Sequence, residues 1–137
     1  MEKRYANFAF FYAIIAMIFG VFYREFTKLN HFTGQTNLSI LHTHYFLLGM
    51  FFFLILMLVE KLFAFSDKTI KKFILVYQIG LNITGLAFFI RGLIQVQEII
   101  NLEKGIDASI SGIAGIGHSL MGISLIFILR KIKKSID

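Results

Sequence analysis

The side chains with the most chemistry to offer here are the chain's four histidines. His42 and His44 sit one residue apart in Leu41–Met50, LHTHYFLLGM, at the mouth of an apolar run. His118 lies inside Gly112–Phe127, GIAGIGHSLMGISLIF, and His31 precedes the first pair. An imidazole can bind a metal, exchange a proton or hydrogen-bond at either ring nitrogen. Two positions along a helix are a rotation of about 200°, so the rings of His42 and His44 diverge. Chelation of one ion from a single helix uses i, i+4 spacing instead. The pair can therefore serve two separate sites, one facing into a bundle and one facing a different neighbour.

His118 has another kind of setting. Gly115 comes three residues before it and Gly122 four after it, both on the histidine's face of a helix. Ser111 extends that face. Glycines above and below an imidazole leave a flat slot in which a planar macrocycle could lie with its iron at the ring. The same pattern also reads as small-residue helix packing, with the histidine bonded to a neighbour. Arg91 is the remaining candidate, on one face with Thr84, Phe88 and Gln95. It either reaches outward to the headgroups or holds a buried carboxylate bidentately, as it would a haem propionate. Asn82 and Gln78 lie deeper in the same segment.

Composition says what must position these residues. The 137 residues are 57% hydrophobic and 16% charged, with 17 Phe and no Pro, and the mean hydropathy is +0.74. Soluble domains carry about 25% charged residues, and a soluble core of this length could not hide so much apolar surface. The chain reads as an integral membrane protein of long, unbroken helices. With no cysteine, disulfides, thiolate metal sites and covalent haem attachment are excluded. The net charge of +6 is read as topology signal and headgroup anchor rather than as a nucleic-acid surface. The apolar run from Tyr5 to Tyr23 is too long for a signal-peptide core and is read as a retained first span.

Four segments approach the roughly 20 apolar residues a bilayer needs, at about 6–23, 38–59, 73–96 and 108–129. Barrel strands would be shorter and would alternate. Lys3, Arg4, Lys61, Lys68, Lys71, Lys72, Arg130, Lys131, Lys133 and Lys134 fall on one side of such a layout, and Arg24, Lys28 and Lys104 on the other. The positive-inside rule then puts both termini and the middle loop in the cytoplasm, with loops 24–37 and 97–107 outside. Short connections predict a single domain, 1–137, folded as an antiparallel four-transmembrane-helix bundle. Tyr5, Tyr23 and Tyr45 fit an interfacial belt, Tyr12 is deep enough to bond a polar group inside, and Arg24–Glu25 and Glu103–Lys104 read as solvated ends.

His42-Thr43-His44-Tyr45, followed by Gly49-Met50, resembles the histidine helix of the catalytic subunit of haem–copper oxidases, where His-x-His-Tyr precedes a Met-Gly pair. The resemblance implies that His42 matches a high-spin haem ligand. It implies that His44 matches a low-spin haem ligand, whose partner comes from another helix. His118 is the only other intramembrane histidine able to supply that partner. The family's copper ligands and linked tyrosine have no counterpart here, so the resemblance does not reach oxygen reduction. Over most of its length, at Phe22–Phe26 (FYREF), Leu41–Met50 and Gly112–Phe127, the chain also resembles a family of small, functionally uncharacterised four-helix membrane proteins of bacteria. That likeness implies the topology and a bacterial cytoplasmic membrane, and names no activity.

The expectation is a b-type haem protein. His44 and His118 would be axial ligands, Gly115 and Gly122 would line the slot, and Arg91 would hold a propionate. His42 would be free to hold a second haem at a homodimer interface, giving one or two haem b per protomer. The role would be electron transfer, haem handling or gas and redox sensing, beside a respiratory or haem-handling membrane partner. Two alternatives stand beside it. One is a zinc or copper site built from His42 or His44, His118 and His31. The other is an accessory subunit of a membrane complex whose histidines are hydrogen-bonded inside the bundle.

Overall fold

A computed structural model of the protein describes residues 1–97 and 104–136. Loop residues 98–103, including Glu103, lie outside the described residues. The described chain is helical, without strands. Its four helices long and apolar enough to cross a membrane are Glu2–Leu29, Leu38–Phe63, Lys68–Val96 and Gly105–Ile136, here called spans one to four. Each contains its predicted segment and continues into charged ends such as Glu2-Lys3-Arg4 and Arg130-Lys131. Span two stops at Ala64, which takes a left-handed φ of 46°. Span three starts at Asp67, whose carboxylate accepts from the Thr69 and Ile70 amides at 2.9 and 2.8 Å, capping two otherwise unpaired donors.

Spans one and two pack together through aromatic rings. Tyr5, Ala9, Tyr12 and Ala16 are a buried stripe at helical spacing on span one. The Tyr12 ring stacks between Tyr45 and Phe53 of span two. A Cβ at Gly49 would stand 2.6 Å from Cγ of Tyr12, so only glycine admits that ring. Around this point span two departs from regular α geometry. Leu38–His44 is α-helical, Tyr45–Phe51 is a π-helix, and Phe52–Phe63 is α-helical again. Such wider turns are uncommon and are frequent at functional sites. Tyr77 of span three donates to the Leu48 carbonyl within the π segment at 2.9 Å.

Span three ties this pair to span four. Asn82 donates to the Tyr12 hydroxyl at 3.1 Å and accepts from the Tyr45 hydroxyl at 3.3 Å. Tyr12 thus finds its polar partner in the bundle. Span four packs chiefly along span three. The two helices cross closely where Gly80 faces Gly117: a Cβ at Gly80 would lie 2.7 Å from the Gly117 carbonyl oxygen. Such backbone proximity is how small residues join helices in lipid. Phe10, Phe11, Leu47 and Leu62 point outward from the bundle, a surface suited to hydrocarbon.

Candidate functional site

The approach to the first histidine pair is fixed by backbone chemistry. The Thr36 hydroxyl donates to the Gly92 carbonyl at 3.0 Å, and the Asn37 amide donates to the Gln95 side-chain oxygen at 2.7 Å. Leu38 fills the space that a side chain at Gly92 would take. These links set the height of Leu38–His44 against span three. The face of Thr84, Phe88, Arg91 and Gln95 becomes the surface that meets spans two and four.

Both histidines of the pair lie in the α-helical part of span two, so their divergence is realised. His42 turns toward span one, near-parallel to the Tyr23 ring at 6.3 Å and beside Gly20. Its Nδ1 is buried with no hydrogen-bond partner. His44 turns the other way. Its ring centre is 4.8 Å from Phe88 and 6.2 Å from His118, with the two imidazole planes at 86°. The structure thus brings His44 and His118 together and leaves His42 on the far side of the helix.

The hydrogen bonds of this second pair fix its tautomers. His44 Nδ1 lies 3.2 Å from the Ile40 carbonyl oxygen, and His118 Nδ1 lies 2.9 Å from that of Ala114. A carbonyl can only accept, so each Nδ1 carries the proton. An imidazole so bonded, when neutral, has its lone pair on Nε2, the arrangement that prepares it to ligate a metal.

The glycines of span four divide between two faces. Gly117 meets Thr84 and Gly80 of span three and does the close packing. Around Gly115 and Gly122, no described atom beyond the adjoining turns of their own helix lies within 4 Å of where a Cβ would stand. The small-residue packing reading therefore belongs to Gly117, and the face carrying Gly115, His118 and Gly122 is open.

Arg91 has a partner in its own chain. Its Nη2 donates to Asp107 Oδ1 at 2.6 Å, the Asp107 carbonyl at 3.1 Å and the Ser111 hydroxyl at 2.8 Å. Ser111 comes seven residues before His118, about 10 Å along the helix. Arg91 therefore stands at one end of the open face. Sequence reasoning did not single out Asp107, although Asp107, Ser111 and Gly115 recur every four residues. His31 lies in the loop after span one at a φ of 51°. Among the described residues no group of three or more His, Cys, Asp or Glu is placed to hold a metal ion. The zinc or copper site expected from three histidines is therefore not assembled there.

Neither the curated proteins nor the solved structures contain a match to this chain. A family model described as "Protein of unknown function (DUF2871)" matches residues 1–135. An all-helical fold with four membrane-length helices, matched over nearly its whole length by that one model, makes the chain a member of the DUF2871 family.

Proposed function

We propose that the protein binds haem b between His44 and His118 and serves as a membrane redox or haem-handling protein. The observation that carries this is the imidazole pair itself. Its ring centres are 6.2 Å apart, both Nδ1 atoms are tied to backbone carbonyls, and open glycines flank one ring. With each Nδ1 bonded to a carbonyl oxygen, Nε2 is the ring atom each imidazole has left to offer a metal. Phe88 supplies an apolar wall against both rings. A haem held by two imidazoles provides a low-spin, one-electron centre. Arg91 would meet a propionate only in competition with Asp107. His42, stacked on Tyr23, stands outside this site, and its placement lends no support to a second haem or to a homodimer built around one.

The proposal includes an antiparallel bundle in the bacterial cytoplasmic membrane with both termini in the cytoplasm, supported by the uneven distribution of Lys and Arg. The test is to purify the protein from haem-supplied cells and record its absorption spectrum. A Soret band is expected for the wild type and for His42→Ala, and is expected to be lost in His44→Ala and His118→Ala. A folded wild-type protein without a Soret band overturns the reading and leaves the accessory-subunit alternative. Loss in His42→Ala alone would move the site across span two.

A further inference from the structure

A second site is built at the opposite end of the helices from Arg91, where span three begins and span four ends. A cleft of about 290 Å³ opens there. Its floor is aromatic: Phe73 and Phe127 stack with ring centres 4.3 Å apart and planes 10° from parallel. Its rim is basic, with Arg130, Lys131 and Lys134 on one face of span four. Lys131 is already engaged, 2.9 Å from Asp67 Oδ2. The other Asp67 oxygen accepts the Thr69 and Ile70 amides. The one carboxylate in the cleft is therefore fully used. Arg130 and Lys134 remain, one helical turn apart, with no carboxylate partner among the described residues' ion pairs.

We propose that this cleft binds the phosphodiester headgroup of an anionic phospholipid. The guanidinium of Arg130 suits a phosphate bidentately and Lys134 adds a point charge. Basic pockets between transmembrane helices are recognised settings for such headgroups. The volume is at the small end for a ligand pocket, enough for a headgroup but not a whole lipid. The stacked Phe73 and Phe127 carry the start of an acyl chain, which a soluble anion would not use. A zwitterionic headgroup would bring its own ammonium toward Arg130 and Lys134, the two cations that Asp67 leaves uncompensated, so the site discriminates by net charge.

The test uses the full chain in neutral detergent, with native mass spectrometry and thermal unfolding. Phosphatidylglycerol is expected to be retained and to raise the Tm, and phosphatidylcholine to do neither. The double variant R130Q/K134Q is expected to hold phosphatidylglycerol at least about tenfold more weakly. K61Q/K72Q, which removes the same charge elsewhere, is expected to bind as wild type. Equal retention of the two lipids by the wild type overturns the proposal, and needs no variant. So does equal weakening in both double variants, which would mark a general charge effect. Displacement of the lipid by inorganic phosphate at matching concentration assigns the cleft to a soluble anion and overturns it as well.

Discussion

At the scale of single residues, the decisive information is which way a side chain turns. The divergence of His42 and His44 was legible, because rotation per residue is a property of any helix. The two roles of the span-four glycines were not. Gly115, Gly117 and Gly122 are chemically identical, and only the rotation of span four against span three decides which faces Gly80. Matching substitutions separate those roles. Gly115→Leu should leave thermal stability within about 0.5 kcal/mol of wild type while abolishing the Soret band. Gly80→Leu should cost about 1–3 kcal/mol by overpacking, seen as a lower Tm. Arg91 gives a second residue-level test. Because Asp107 occupies it, Asp107→Asn should slow haem loss to a scavenging protein, and Arg91→Gln should hasten it. Identical loss rates in all three proteins would remove Arg91 from the site.

At the scale of elements, span positions followed from the length of the apolar runs. Each helix then extends past its predicted bounds, because charged end residues continue the hydrogen-bonded turns into the interface. The π segment Tyr45–Phe51 was hidden. Its residues are as apolar as their neighbours, and hydropathy carries no signature of a wider turn. What supports it is tertiary: the fit of Tyr12 against Gly49 and the Tyr77 hydroxyl on the Leu48 carbonyl. Tyr77→Phe, which removes that bond and keeps the ring, should lower unfolding stability by about 0.5–1.5 kcal/mol. Chemical denaturation of the detergent-solubilised protein measures it, and no change would show that the segment stands without the tyrosine.

For the whole molecule, composition gave the class, and it could not say which helix neighbours which. The packing of span four on span three depends on Gly80, Thr84 and Gly117, three small residues among many. The absence of cysteine makes topology directly measurable. Ser135→Cys should be shielded from a membrane-impermeant maleimide in intact cells, and Thr33→Cys labelled; the reverse would invert the proposed orientation. Acid should also loosen one end of the molecule. The Lys131 ammonium and the Ile70 and Thr69 amides hold the Asp67 carboxyl below its ordinary value of 3.8. Its contribution is thus complete above that value and is lost as pH falls through the lower folded one. Thermal unfolding of the wild type should show this loss below about pH 4, and Asp67→Asn should lack that component.

No side chain stands over Gly115 or Gly122, so the approach to His118 runs sideways through lipid rather than end-on through water. If the proposed haem site is filled from the bilayer, a flat molecule would reach that imidazole by two-dimensional diffusion, and uptake would be set by partitioning into the membrane. The same side of span four would serve departure, as a protein that hands haem on would need.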